Sequence, residues 1–157
     1  MKTATTIDTL FEPRSVAVIG ASANDAKIGY RIVANIVRAG YCGKLFPINP
    51  KGGQLLGNNI YSKLSDVDGP IDLAVIAIPA PHVFNVVRDC ASNEVKHLVI
   101  ITSGFSEVGN TEEERKIVEF ARGHGMRVLG PNIFGIYSSA VCLDATFGAG
   151  GIRPGFG

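Results

Sequence analysis

The 157-residue sequence has no excess of either charge and no long hydrophobic run. Fifteen Lys and Arg residues stand against 14 Asp and Glu residues, a formal net charge of +1. Without a broad positive surface we expect no nucleic-acid partner. The longest apolar runs, residues 73–80 and 98–101, are far shorter than the ~20 residues that cross a bilayer, and the N-terminus has no signal-peptide core. We therefore expect no membrane association and a cytoplasmic location.

Cysteine is scarce and forms no recognisable motif. The three cysteines, Cys42, Cys90 and Cys142, are widely spaced and include no Cys-x-x-Cys pair. This pattern favours neither a disulfide framework nor a zinc site, and we predict that all three are buried as small hydrophobic residues. No paired carboxylates, Ser/His/Asp order or metal-ligand spacing occurs either. The sequence thus indicates no catalytic residue and no metal site.

What the sequence does contain is an alternation of strand and helix patterns. Short apolar runs predict buried strands at residues 15–20, 45–48, 72–78, 97–102 and 126–129. Between them, apolar residues recur at helical spacing. The alternation predicts a single α/β domain: a Rossmann-like open, mostly parallel sheet with helices on both faces. Ligands bind such sheets beyond the carboxyl ends of the strands.

Several positions set the expected boundaries of the helices and of the domain. A buried stripe is predicted for the first long helix, which Gly40 can end in the left-handed conformation. The stripe consists of Ile28, Ile32, Val33, Ile36 and Val37. Thr111 and Glu114 have the spacing of a capping box for the last helix. Periodicity fades after Gly130, so we predict a domain over residues 1–147 and a glycine-rich linker over 148–157, leading to a domain absent from this chain.

Small or special residues fill every loop at the predicted ligand edge. These loops are residues 20–24, 49–51, 79–81, 102–105 and 130–132. Small side chains let backbone amides approach a ligand, and we expect the amides of residues 21–23, near the start of the first long helix, to point at an anion such as a phosphate.

The first and second loops disfavour classical NAD binding. Ser22 and Asp25 stand where a dinucleotide-binding motif has its later glycines. The second strand ends in Asn49, Pro50 and Lys51, with no carboxylate for the ribose hydroxyls. A lysine there can meet a phosphate as a point charge, which suits coenzyme A or NADP.

Four segments together carry a family resemblance: residues 13–22, 47–51, 102–107 and 130–132. In this order they resemble the CoA-binding domain of the NDP-forming acyl-CoA synthetases, the superfamily of ADP-forming acetate–CoA ligase and the succinyl-CoA synthetase α subunit. The resemblance extends over about residues 10–154.

The resemblance implies coenzyme A or acyl-CoA as the ligand and indicates the residues that bind it. They are Gly20, Ala21, Ser22, Lys27, Ile28, Asn49, Pro50, Lys51, Pro79, Ile101, Thr102, Ser103 and Gly104. The chain departs from the family pattern at two positions. Ser103 stands where succinyl-CoA synthetases have a glutamate, and Ile133 stands where many members have a cysteine, so neither role transfers.

The resemblance also implies part of a ligase reaction. Such enzymes interconvert acid, CoA and ATP with acyl-CoA, ADP and phosphate through an acyl phosphate and a phosphorylated histidine. None of His82, His97 and His124 matches that histidine's motif, so the phosphohistidine and ATP-grasp domains are expected elsewhere, as further domains or a subunit. Alternatives are a regulatory CoA-binding domain of a GNAT-fused lysine acetyltransferase, an NADP-dependent oxidoreductase fragment and a stand-alone CoA sensor.

Overall fold

A five-stranded parallel sheet forms the centre of the protein in the computed structural model, which describes residues 7–149. Its strands lie in the spatial order β2 (Lys44–Ile48), β1 (Ser15–Ile19), β5 (Leu73–Ile76), β6 (His97–Ile100) and β7 (Arg127–Leu129). The predicted Rossmann-like α/β fold is confirmed. Two of the predicted strands, residues 72–78 and 97–102, are shorter than expected, since β5 ends at Ile76 and β6 ends at Ile100.

Helices cover both faces of the sheet because alternate strand residues point to opposite sides. Val16 and Val18 pack with α2 (Ile28–Ala39), whereas Ala17 and Ile19 pack with the opposite layer. That layer contains α3 (Ala80–Ser92) and α4 (Thr111–Gly123), and a short helix, α1 (Asp8–Phe11), precedes the sheet. Each fully buried aliphatic side chain stabilises the fold by about 1.5–3 kcal/mol.

Two antiparallel hairpins accompany the sheet, and the sequence patterns did not predict them. One pairs β3 (Gly53–Leu55) with β4 (Asn58–Ile60), and the other pairs β8 (Gly135–Ser138) with β9 (Leu143–Thr146). The second packs on α2, where Asn35 Nδ2 donates to the carbonyl oxygens of Thr146 at 2.9 Å and Gly148 at 3.1 Å. Regular structure thus continues beyond Gly130. The rest of the expected linker, residues 150–157, lies outside the described residues.

Two details of the helices differ from the expectations. In α2, Ile28 and Val37 are 44% and 43% exposed, so the buried stripe is narrower than predicted. The prediction of a capping box is also wrong. Thr111 is the first residue of α4 rather than its N-cap, and no side chain caps the start of this helix with a hydrogen bond. The carboxylate of Glu114 instead accepts the amide of Ser106 at 3.0 Å. Gly40 does end α2 in the left-handed conformation, with φ 75°.

The prediction that all three cysteines are buried is wrong for two of them. Cys90 is a buried residue of α3, but Cys42 is exposed and Cys142 is only half-buried. Cys42 follows α2 and Cys142 lies in the β8–β9 turn, so neither occupies a core position.

The amino edge of the sheet is held by buried polar groups. Asp72, buried just before β5, accepts the amide of Arg14 at 2.9 Å and lies 3.5 Å from Lys96 Nζ. The buried His97 opens β6, and its Nε2 lies 2.7 Å from Thr9 Oγ1 of α1. Burial, followed by the positive charge of Arg127, lowers the pKa of His97. The contact between His97 and Thr9 fastens α1 to this edge, which is opposite the one expected to bind ligand.

The described residues contain neither a membrane helix nor a metal cluster. Within residues 7–149, no helix has the length and apolar character needed to cross a bilayer. In the same range, His, Cys, Asp and Glu side chains form no group of three or more that could hold a metal ion.

Candidate functional site

A large cavity opens at the carboxyl edge of the sheet. Its volume is about 1150 Å³, and it lies where β1 and β5 end side by side, bounded by Ile19, Gly20, Ala77 and Ile78. The chain leaves β1 for β2 on one side and then crosses to β5 on the other. In open α/β sheets, such a reversal of strand order leaves a crevice in which ligands bind.

The loops that follow β1 and β2 are joined by hydrogen bonds. Asn49 Nδ2 donates to the carbonyl oxygen of Ala21 at 2.7 Å. The amides of Gly20 and Ala21 both donate to the carbonyl oxygen of Ile48, at 3.0 and 3.2 Å. The Asn49 side chain also accepts the amide of Lys51 at 2.9 Å. One asparagine therefore positions both the first turn and the backbone of the lysine.

The loops that follow β5, β6 and β7 are joined in the same way. Thr102 Oγ1 donates to the carbonyl oxygen of Ile78 at 2.8 Å and accepts the amide of the same residue at 3.3 Å. The amide of Asn132 donates to the carbonyl oxygen of Thr102 at 3.0 Å. These hydrogen bonds hold the loops of the rim to one another, and an ordered rim lowers the entropy cost of binding.

The start of α2 lies against the first turn because Gly29 has no side chain. A Cβ atom at Gly29 would lie 1.8 Å from the carbonyl oxygen of Gly20. The first amides of a helix have no partner within the helix, and together they favour an anion. Lys27, Ile28 and Gly29, where α2 begins, all line the cavity.

The charged side chains that line the cavity are mainly cationic. Lys27, Lys51 and Lys63 contribute positive charge, and Asp89 of α3 is the acidic residue among the lining. Lys63 Nζ lies 3.9 Å from Asp66 Oδ1, whereas the ion pairs found within residues 7–149 include neither Lys27 nor Lys51. The site is therefore suited to an anionic ligand with a sizeable apolar part.

The structure brings eleven of the thirteen predicted site residues to this cavity. They are Gly20, Ser22, Lys27, Ile28, Asn49, Pro50, Lys51, Pro79, Ile101, Thr102 and Ser103. Within this set, the Thr102 hydroxyl is engaged with Ile78. Their contact with a ligand stays a prediction.

Ala21 and Gly104 do not line the cavity. Ala21 is fully buried and its amide is bonded to Ile48, so the expectation that it points at an anion is wrong. The helix also begins later than that expectation required, at Ile28. The amide of Gly104 donates to the carboxylate of Glu107 and, with that of Phe105, lowers the pKa of Glu107.

The sequence interpretation missed several residues of the cavity wall. They are Ser62, Lys63 and Leu64 after the first hairpin, His82, Val86 and Asp89 of α3, and Phe134 and Phe147 on either side of the second hairpin. The rings of Phe134 and Phe147 pack with their centroids 4.7 Å apart. No local motif marks these residues, since only the tertiary fold brings them to the cavity.

Comparison with known proteins assigns a family to this arrangement. Residues 14–139 match the family model described as a CoA binding domain. The α subunit of acetate–CoA ligase (ADP-forming) I from Pyrococcus furiosus is 44% identical over 155 residues, which cover 95% of this chain and 34% of that protein. Acetate–CoA ligase (ADP-forming) from Methanocaldococcus jannaschii is 47% identical over 135 residues, covering 86% of this chain and 19% of that protein.

A solved structure agrees with the sequence relatives. Acetyl-coenzyme A synthetase 1 from Ca. Korarchaeum cryptofilum, solved with phosphate and ADP, superimposes with a TM-score of 0.87 at 48% identity, covering 90% of this chain and 31% of that one. The chain thus spans about a third or less of these relatives. The family model covers most of the chain and coincides with the parallel sheet and its ligand edge, so this protein belongs to the CoA-binding domain family.

Proposed function

We propose that coenzyme A occupies the cavity at the carboxyl edge of the sheet. Its phosphate groups lie near Lys27, Lys51 and the start of α2, where the positive charge and the unpartnered first-turn amides are concentrated. Its pantetheine arm runs toward the apolar wall near Asn132, Phe134 and Phe147. The single observation that carries this proposal is the large cavity, whose wall includes both lysine side chains and the aromatic side chains of Phe134 and Phe147.

The wider function we propose is that of the CoA-binding part of an ADP-forming acyl-CoA synthetase. The full reaction converts an acid, CoA and ATP into acyl-CoA, ADP and phosphate. This part binds CoA or acyl-CoA and presents the thiol or thioester, while phosphohistidine and ATP-grasp domains, as further domains or a subunit, carry out the phosphoryl transfer. The names of the relatives support a ligase over a GNAT-fused acetyltransferase. A cytoplasmic location fits a protein that uses these metabolites.

Binding by the isolated chain tests the ligand assignment directly. We expect CoA and acetyl-CoA to raise the Tm of the chain by several degrees at millimolar concentration, because a ligand that binds only the folded state stabilises it. NAD should have no effect. Dephospho-CoA, which lacks the 3′-phosphate, reports whether that phosphate contributes to affinity.

The same panel separates the alternative ligands. A larger Tm rise with NADP than with CoA would support an oxidoreductase fragment and contradict the proposal. The ligase assignment is tested separately by mixing the chain with the phosphohistidine and ATP-grasp parts. Acyl-CoA-dependent ATP formation that requires this chain is the expected result, and CoA binding without such activity would leave the chain a CoA sensor.

A further inference from the structure

Two of the three cysteines lie next to each other at one corner of the molecule. Cys42 lies between α2 and β2, and Cys142 lies in the turn between β8 and β9. The amide of Cys42 donates a 3.2 Å hydrogen bond to the carbonyl oxygen of Val141, the residue directly before Cys142. Because the two cysteines are far apart in sequence, only the tertiary fold brings them together.

This hydrogen bond limits the separation of the two cysteines. The bonds along the path through it sum to roughly 8.7 Å between the two Cα atoms, and the planar peptide between Val141 and Cys142 reduces this limit to roughly 7.5 Å. A disulfide usually joins Cα atoms about 4.4–6.8 Å apart. This limit lies close to the upper end of that range, so the backbone separation is compatible with a disulfide formed with movement of the two turns.

Both thiols are accessible and only weakly engaged. Cys42 is exposed and Cys142 half-buried, and their sulfur atoms lie 3.8 Å and 4.0 Å from the carbonyl oxygens of Gly40 and Ser139. Cys142 also has a left-handed φ of 53°, a conformation in which glycine or asparagine is usual, so turn geometry does not account for a cysteine there. Cys90 differs from both, because burial raises the pKa of its thiol to about 12 and keeps it protonated.

We propose that Cys42 and Cys142 form a reversible disulfide that ties the β8–β9 hairpin to the connection between α2 and β2. The oxidant is a low-molecular-weight disulfide such as glutathione disulfide. The Cys42 thiolate attacks one of its sulfurs and releases a first thiol, and the Cys142 thiolate then attacks the sulfur of Cys42 and releases a second. The cysteine pair loses two electrons and two protons, and the oxidant is reduced to two thiols.

The bond would act on the wall of the cavity through the hairpin. Phe134 and Phe147 lie just outside the two ends of this hairpin and line the cavity, while Cys142 lies in the turn at its far end. Asn35 already fastens the strand end of the hairpin to α2. A disulfide at the turn would fasten the other end, so that oxidation fixes the whole hairpin on α2.

The proposal is tested by counting thiols in the full chain after equilibration with reduced or oxidised glutathione. After denaturation, we expect three titratable thiols in the reduced sample and one in the oxidised sample. Trypsin separates the three cysteines, since Lys44 and Arg127 lie between them, and the peptides that hold Cys42 and Cys142 should be recovered joined. The Tm should rise by roughly 5 °C on oxidation and fall back with dithiothreitol.

Two single variants complete the test. Cys42→Ser and Cys142→Ser should each take up one glutathione at the remaining cysteine of the pair, with no rise in Tm. Three results would overturn the proposal in the wild-type chain: retention of all three thiols under oxidising conditions, separate glutathione adducts without a bridge, or a disulfide that joins two chains on a non-reducing gel.

Discussion

At the scale of single residues, Lys51 best shows how the local sequence brings a positive charge to the cavity. Its amide donates to the side chain of Asn49, which also donates to the turn after β1. The lysine backbone is therefore fixed, while its side chain is exposed. The position of Lys51 at the cavity was predictable because Asn49, Pro50 and Lys51 directly follow a strand that ends at Ile48. Asp89 and Phe147 were not predictable, because nothing in their neighbouring residues points to a ligand.

The Lys51→Ala variant is expected to bind CoA about tenfold more weakly than the wild type. A charge-assisted contact to a phosphate contributes about 1.5–3 kcal/mol to binding. The neighbouring lysines still attract the phosphate in the variant, so the loss is expected at the lower end of this range. The free energy of unfolding should change by less than about 0.5 kcal/mol, because the side chain is exposed. Isothermal titration calorimetry and urea denaturation measure the two quantities.

Lys44→Ala is the matched control, since Lys44 is an exposed lysine at the amino end of the same strand, β2, away from the cavity. It should bind CoA as the wild type does. Equal affinities in all three proteins would remove Lys51 from the site, and equal losses in both variants would indicate only a long-range effect of net charge.

At the scale of elements, the contact between α2 and the turn after β1 shapes the site. Gly29 allows the helix to start against the carbonyl oxygen of Gly20. The turn that contains Gly20 also packs on the chain after β5. A Cβ atom at Gly20, which has a φ of 96°, would lie 2.2 Å from the carbonyl oxygen of Ala77. Two glycines thus permit three elements to meet at the edge of the cavity.

We expect Gly29→Ala to destabilise the fold by about 1–3 kcal/mol and to weaken CoA binding. The added methyl group must push the start of α2 away from backbone that cannot move easily. Urea denaturation and calorimetry of the same samples measure the two effects.

Gly123→Ala, in the last residue of α4, controls for helix propensity. A Cβ atom there has no atom within 4 Å, so the variant should equal or exceed wild-type stability by up to about 1 kcal/mol. If Gly29→Ala were as stable as Gly123→Ala, the close approach of α2 to the first turn would not be needed.

The elements that the sequence predicted are those with strong local patterns. The three central strands, β1, β5 and β6, carry apolar runs because they are buried on both faces, whereas the edge strands β2 and β7 are only partly buried. Three helices carry apolar residues at helical spacing. The hairpin strands have only three or four residues each and no continuous run, so their pairing is set by packing against the rest of the fold. The narrower stripe of α2 has a similar cause, since Ile28 lies at the cavity rather than under the sheet.

At the scale of the whole molecule, the two edges of the sheet have different roles. The amino edge is closed by Asp72, by His97 and by their contacts to Arg14, Lys96 and Thr9. The carboxyl edge is open and carries the cavity. Stability and ligand binding can therefore be perturbed separately, by changes at opposite edges.

The stability of the protein should fall as the pH is lowered from 7.5 to 5. Burial, then the charge of Arg127, lowers the pKa of His97, while Asp72 opposes and Lys96 adds to the shift. The folded state therefore holds His97 neutral at a pH where the unfolded chain already binds a proton. The stability that comes from a neutral His97 is complete above pH 6.5, the ordinary pKa of histidine. It is lost as the pH falls through the lower pKa of the folded state.

Urea denaturation at several pH values measures this dependence. His97→Asn should flatten the profile between pH 7.5 and 5, even if its stability is lower throughout. His82→Gln, at an exposed position on α3, should keep the wild-type profile. An unchanged slope in His97→Asn would show that another group causes the pH dependence.

The central claim, that the carboxyl edge of the sheet binds coenzyme A, is tested most directly by a CoA titration of the ¹⁵N-labelled chain. We predict that the amide shifts concentrate in residues 20–29, 49–51, 78–82 and 101–103, while the amino edge around Asp72 and His97 stays unchanged. Spectra without change at saturating CoA, or changes concentrated at the amino edge, would contradict the account.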